Sequence, residues 1–438
     1  MASHPTSKGR TGYDPEDMTH PPAHDWDPAE AIDRLEADFS EWEGRIHAFV
    51  EEPGRFDRLR TEAAALQHRF PTPAARPPLF GLRLGVKDIF NVDGLETRAG
   101  TTLPPSEFAG PEAPCVTRLK QAGALVVGKT VTTEFAYLAN GPTRNPRDLE
   151  HTPGGSSSGS AAAVAAGLCD AALGTQTVGS LMRPAAFCGV NAMKPSKGRI
   201  DDRGIVALAP TLDHVGCLGA NLDVVETVVA TMTEDWVPVE TVEPPVLGIP
   251  DDDYLRHAED SGRAHFGMVC TLLESMGFVL IETDALADFE ALHEAHMDLC
   301  AIEAADVHRT WRANHQKEYD PRTLSLLDRA EAVDEARRRI ALEQPKQLRA
   351  QLEALMKNQA IDLWIAPGAT GPAPLGIGST GSGILNGPWT NAGLPTVSLP
   401  AGRTADGLPM GVQAIGAFNR DERTLAQARQ LEPILNTP

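Results

Sequence analysis

The chain predicts an α/β fold, and two observations carry that reading. Residues 79–90 set Leu82, Leu84 and Val86 against Arg83, Gly85 and Lys87, which is the period-two pattern of a strand. Candidate helices and strands then alternate: a helix at 116–122, a buried strand at 124–127, and helices at 132–138 and 160–166. From 362 to 400, apolar runs such as Leu363-Trp-Ile365 and Val397-Ser-Leu399 alternate with Gly/Pro turns, so the sheet resumes there. Upstream, residues 27–67 read as a helix, with Ile32, Leu35, Phe39 and Trp42 on one face. Residues 241–361 are more charged and more helical, 322–357 most of all, and read as a peripheral cap.

Composition bounds the function. The 438 residues suffice for a large core, and 42% hydrophobic with 23% charged residues is a globular balance. Lys and Arg number 39 against 60 Asp and Glu, a net charge of -21 that repels phosphate backbones and anionic membranes. Nucleic acid and membrane are therefore not expected partners. Residues 1–28 are polar, without an apolar run, and read as a mobile tail rather than a leader or anchor. Six scattered cysteines without a C-x-x-C pair read as reduced, mostly buried thiols, which fits a cytoplasmic chain. Nothing in the chain calls for a cofactor or a metal. His293-Glu-Ala-His296 lacks the spacing that puts two histidines on one helical face, and reads as surface or core-edge helix. Asp251-Asp-Asp253 reads as a solvated turn.

Three motifs compete for the chemistry. Gly123-Ala-Leu-Val-Val-Gly128-Lys129-Thr130 matches a phosphate-binding loop letter for letter. Its centre, however, is a buried-strand sequence, where exposed N–H groups are not available to phosphates. Gly155-Ser156-Ser157-Ser158-Gly159 fits a nucleophile elbow with Ser157 at its centre and His214 or His257 among the histidines downstream, but that motif needs a strand before it. The preceding residues 144–153 form a polar, turn-rich loop instead. The third is a constellation: Gly85-Val-Lys87-Asp88, the Gly/Ser stretch 153–167, and Gly174-Thr-Gln-Thr-Val-Gly-Ser180-Leu-Met-Arg183-Pro.

This constellation closely resembles the amidase signature family. Met193-Lys-Pro-Ser-Lys-Gly-Arg199 and Leu212-Asp213-His-Val-Gly216 continue the resemblance. It runs more thinly through His47-Ala-Phe-Val50, Asn391-Ala-Gly-Leu-Pro395 and Gly407-Leu-Pro-Met-Gly-Val-Gln413, and weakens across 241–361. The resemblance implies one catalytic domain over 29–438, with a mixed sheet covered by helices and the divergent 241–361 shaping the pocket. It makes Ser180 the nucleophile, Ser156 a bridging serine preceded by a cis peptide, and Lys87 the base. The backbone N–H groups of Thr177, Val178, Gly179 and Ser180 become the oxyanion hole. A lysine accepts a proton near neutrality only when burial keeps it uncharged, and the apolar strand around Lys87 fits that demand.

The same residues have plainer readings. Ser156, Ser157 and Ser158 are suited to cap the helix that follows, and Ser180 to cap the one opening near Pro184. Arg183 suits either a substrate carboxylate or a buried ion pair.

Departures from the family pattern also inform. The nucleophile loop more commonly reads Asp-Thr-Gly-Gly-Ser with Arg two residues later. Here Gln176 and Val178 replace Asp and Gly, and Arg falls at 183, a variant that resembles malonamidase-like members in which this Arg grips a substrate carboxylate. Val178 lacks glycine's freedom at positive φ and narrows the pocket.

The substrate expected is a small linear amide, or a carbamate (urethane) or urea cleaved by the same relay. An aromatic content of 5% suits a modest pocket, with Trp364, Trp389 and Phe187 as candidate walls of a larger one. A homodimer is compatible with this reading. The rival reading is a glutamine amidotransferase subunit, one that works on charged tRNA and needs partner chains; the chain reads as complete and somewhat short for it.

Overall fold

A computed structural model describes residues 27–239 and 243–435. The expected tail lies outside them up to residue 26, and its last two positions are the cap and first residue of a helix. Asp27 is the N-cap of helix Pro28–Ile46, its carboxylate accepting from Ala29 N and Glu30 N, with Pro28 in the first turn. Ile32, Leu35 and Phe39 are buried as their spacing predicts. The single helix expected over 27–67 is two. The chain turns left-handed at His47 and again at Gly54, and a second helix runs over Arg55–Arg69.

Ten strands form one mixed sheet. In chain order they are β1 (Arg83–Lys87), β2 (Leu125–Thr130), β3 (Ala171–Gln176), β4 (Asn191–Lys194), β5 (His214–Gly219), β6 (Leu247–Pro250), β7 (Leu280–Thr283), β8 (Leu363–Pro367), β9 (Thr396–Arg403) and β10 (Pro409–Ile415). Their order across the sheet is β2-β1-β3-β5-β4-β9-β10-β8-β6-β7. Neighbours at both ends are parallel, and those from β3 through β8 are antiparallel. This is the mixed α/β sheet the resemblance implies, in a single domain.

Both faces of the sheet are covered, so side chains alternate between two cores. Leu84, Val86, Val126, Ala171 and Leu173 point to one, and Leu125, Val127 and Ala172 to the other. The second core includes helix Ser158–Ala165, every residue of which is buried. Gly85 lies under that layer. A Cβ there would sit 2.9 Å from Thr130 Cγ2 and 3.1 Å from Cys169 Sγ, so glycine is what fits. Two residues on, and on the same face, stands Lys87.

Two further expectations change. Residues 132–138 are not a helix: a short 3-10 turn covers Glu134–Ala136, with φ of 48° at Phe135 and 59° at Ala136. Tertiary bonds override propensity there, because the Glu134 carboxylate accepts from Thr101 Oγ1, Thr323 Oγ1 and Asp320 N. The segment 241–361 is not only helical. It supplies β6 and β7 at the edge of the sheet besides helices Asp260–Ser275, Phe289–Val307, Pro321–Arg329 and Glu335–Gln359. Five of the six cysteines are buried and all six are free. Among the described residues no helix is long and apolar enough to cross a membrane.

Candidate active site

Lys87 ends β1 with its side chain under helix Ser158–Ala165, and none of it reaches solvent. Its Nζ lies 2.6 Å from Ser156 Oγ, 2.9 Å from Thr175 Oγ1 and 3.2 Å from Ser157 Oγ. No carboxylate pairs with it among the described residues. Burial penalises the ammonium and pulls its pKa down to about 7; Asp213 opposes the shift and Arg183 adds to it. At neutral pH this amine is thus partly free to accept a proton.

The two serines come from the turn before the helix. The Gly155–Ser156 peptide is cis, as the resemblance implies. Thr380 packs on that turn so tightly that a Cβ at Gly155 would lie 2.5 Å from its Cγ2. Ser157 Oγ sits against the backbone of Thr175, 3.3 Å from its carbonyl oxygen, in space left by Gly174. The capping alternative is not realised, since no side chain caps helix Ser158–Ala165. Nor is the nucleophile elbow: the described partners of the Ser157 hydroxyl are Lys87 and Thr175, while His214 Nδ1 bonds Leu212 O.

Ser180 follows β3, in the loop to helix Met182–Cys188, and keeps 7% of its surface exposed. Its carbonyl accepts from Ser157 N at 3.4 Å, which ties the two serine loops together. Its hydroxyl makes no hydrogen bond among the described residues, so the network runs from Lys87 to Ser156 and stops one step short of Ser180. Ser180 does not cap the helix. Gln176 does that work, its Oε1 accepting from Leu181 N at 2.8 Å and Met182 N at 3.0 Å. The N–H groups of Val178, Gly179 and Ser180 have no backbone partner among the described residues. Thr177 Oγ1 is held by Asp213 Oδ1 at 2.6 Å, and the Val178 carbonyl by Thr390 Oγ1 at 2.7 Å. Val178 is not among the positive-φ residues, so the loop accommodates its side chain without strain.

Arg183 is buried, with Nη2 2.5 Å from Gly155 O and 3.2 Å from Thr380 Oγ1. No carboxylate pairs with it among the described residues, and its buried Nε has no partner. The ion-pair alternative therefore fails. Burial without a counter-charge lowers its pKa to about 10.

The other candidates resolve as structure. Lys129, from the phosphate-loop match, lies in β2 and donates to Asp88 Oδ1 at 2.7 Å and Thr97 Oγ1 at 3.0 Å. His296 is buried rather than at a surface or core edge, with Nδ1 3.2 Å from Asn391 Nδ2. Trp364 and Trp389 are core residues, fully buried with ring centroids 6.0 Å apart, and Phe187 is buried as well. A cavity of about 100 Å³ that borders Thr175 and Asp213 is instead walled by aliphatic residues such as Ile89, Ile205 and Leu208. Sequence reasoning missed Thr175 and Thr390. Thr175 stands inside the quoted Gly-Thr-Gln-Thr motif, but Thr390, more than 200 positions away, carries no local signal.

The family model for Amidase matches residues 40–425. The chain belongs to the amidase signature family. One subunit of a glutamyl-tRNA(Gln) amidotransferase from Prochlorococcus marinus (strain MIT 9303) is 30% identical over 463 aligned positions, covering 93% of this chain and 94% of the relative. Among solved structures, one described as an amidase superposes with a TM-score of 0.84 at 32% identity, covering 94% of this chain and 97% of its own. Another, from a vestigial protein complex related to an s-triazine catabolic enzyme, does so at 0.82 and 27% identity, covering 96% of each. This amidase signature enzyme therefore shares family and fold with relatives of different kinds, and its own residues must separate them.

Proposed function

We propose that this amidase signature enzyme cleaves C–N bonds of small amides or carbamates through an acyl-enzyme on Ser180. The observation that carries the reading is Lys87 Nζ, shielded from water and 2.6 Å from Ser156 Oγ. Neutral Lys87 takes the Ser156 hydroxyl proton as Ser156 takes that of Ser180, whose oxygen bonds to the substrate carbonyl carbon. The carbonyl oxygen becomes an oxyanion facing the N–H groups of Val178, Gly179 and Ser180, which have no backbone partner among the described residues, with that of Thr177 alongside. The relay then returns a proton through Ser156 to the leaving nitrogen as the C–N bond breaks. Water attacks the resulting ester, its proton follows the same path, and Ser180 is regenerated with release of the acid. A carbamate or urea passes through a carbamoyl-enzyme by the same steps.

Arg183 bears on the substrate. A buried guanidinium with no counter-ion and an unsatisfied Nε among the described residues is costly unless a bound group compensates it. It also donates to Gly155 O, so it stands beside Ser156 and would hold the carboxylate of an acidic amide. The assay is amine release from a panel of anilides, aliphatic amides, malonamate-type acids, carbamates and ureas. The acids are expected to turn over fastest, and Arg183→Met to raise their KM about tenfold or more while leaving neutral amides within about twofold. Equal loss on neutral aryl carbamates would remove Arg183 from the substrate.

The similarity to amidotransferase subunits keeps a second reading: glutamine hydrolysis that supplies ammonia to a partner. Length does not separate the two, since the relative is covered almost end to end. Glutaminase activity that appears only with a co-purifying partner would favour it over small-amide hydrolysis.

A further inference from the structure

The loop that carries Ser180 is held from behind by two side chains to which nothing so far gives a part in the reaction. We propose that Gln176 and Thr390 form a clamp that aims the Gly179 N–H at the oxyanion, making both positioning residues for acyl transfer at Ser180; this rests on the reading above.

The hydrogen-bond directions are forced. Gln176 Oε1 faces two donors, Leu181 N and Met182 N, so the acceptor end of the amide is fixed there and the NH2 must lie at the other end. That end is 2.9 Å from Thr390 Oγ1, so Gln176 donates and Thr390 accepts. Both side chains are buried, and a hydroxyl has one proton. Thr390 must spend it elsewhere, and the closer of its two carbonyl neighbours is Val178 O at 2.7 Å, against Asn386 O at 3.1 Å.

The last step is peptide geometry. The Val178 carbonyl and the Gly179 N–H belong to one planar trans unit and point opposite ways. Pulling the carbonyl toward Thr390 therefore turns the Gly179 N–H away from it, and that N–H has no backbone partner among the described residues. Gly179 has to be glycine for this packing, since a Cβ would lie 2.4 Å from Asn386 Oδ1, one turn ahead of Thr390.

The amide at 176 matters to this chain of bonds, as a carboxylate of the same length in its place makes clear. A carboxylate accepts at both oxygens, so it would draw the Thr390 proton to itself by a charge-assisted bond and release Val178 O. With an amide at 176 the proton is directed to the loop.

The test uses whichever amide of the panel the full chain cleaves fastest. Thr390→Val is expected to lower kcat about 10- to 100-fold, short of the 10²–10³ that follows complete loss of an oxyanion donor, with KM within about twofold. Thr390→Ser, which keeps the hydroxyl, is expected to stay within about threefold of wild type. Gln176→Glu is expected to resemble Thr390→Val, and the double variant to be no worse than Thr390→Val, because both break one chain of bonds. Thermal midpoints separate this from misfolding. Wild-type kcat in Thr390→Val or Gln176→Glu, or a serine variant as slow as the valine one, would overturn the clamp. Ser180→Ala on the same amide tests the underlying reading by itself: full turnover there removes Ser180 as nucleophile, whereas an inactive Ser180→Ala beside a fully active Thr390→Val removes only the clamp.

Discussion

Two buried lysines stand on neighbouring strands, and they differ in what surrounds them. Lys87 and Lys129 lie on β1 and β2, where Val86 pairs with Lys129 and Lys87 with Thr130. Burial disfavours the charge of both. Lys129, however, faces the Asp88 carboxylate, which opposes the effect of burial, whereas the direct partners of Lys87 are three hydroxyls. A carboxylate stabilises an ammonium specifically; a hydroxyl serves the neutral amine as well, because it can donate to the lone pair. Lys194 on β4 sharpens the contrast. It too is fully buried and drawn down to about 7, yet its described bond goes to the carbonyl of Leu394, which has no proton to give. Burial lowers the pKa of a lysine, and only the neighbours make the neutral amine useful for proton transfer.

The comparison can be broken at its three members. Lys87→Met is expected to cost about 10²–10⁴-fold in kcat/KM with the thermal midpoint preserved or raised, since a buried amine is replaced by an apolar chain. Activity within tenfold of wild type would remove Lys87 as base. Lys129→Met leaves the buried Asp88 carboxylate without its ammonium partner, holding only the Arg98 N–H and the Arg98 charge, so chemical denaturation should show a loss of about 3 kcal/mol, with turnover surviving in the folded fraction. An undiminished stability would show that the Asp88 pair holds little. The smallest effect is on the pH profile. In the proposed relay the active form of Lys87 is the unprotonated one, so kcat/KM should rise about tenfold per pH unit up to about 7 and level off above it. Lys194→Met should leave that limb where it is, and a displaced limb would transfer the titration to Lys194.

Legibility in the sequence followed the range of the interaction. The strand carrying Lys87 and the helix of small residues after Ser157 were readable because alternation and Ala/Gly/Ser composition are local properties. The roles of Lys87, Ser156 and Ser180 came from the resemblance, and the structure brings the first two into contact while holding Ser180 beside them by the backbone of Ser157. The breaks at His47 and Phe135 were not readable. Both residues sit at positive φ without being glycine, and the turn at Phe135 is imposed by contacts to Glu134 from residues nearly 200 positions away. The two strands within 241–361 were hidden for a related reason: each is only four residues long and lies among stronger helical signals.

What the sequence by itself determined was the α/β class, the membership that its Gly/Ser motifs announce, and the residue types that the proposed acyl transfer requires. Those follow from short-range pattern and composition. The tertiary structure alone decided that, among the described residues, Lys87 and Arg183 have no carboxylate partner while Lys129 has one, and that Thr390 reaches the loop before Ser180. Each depends on which strands and turns become neighbours, and neighbours distant in sequence set the desolvation and hydrogen bonding that give a side chain its chemistry.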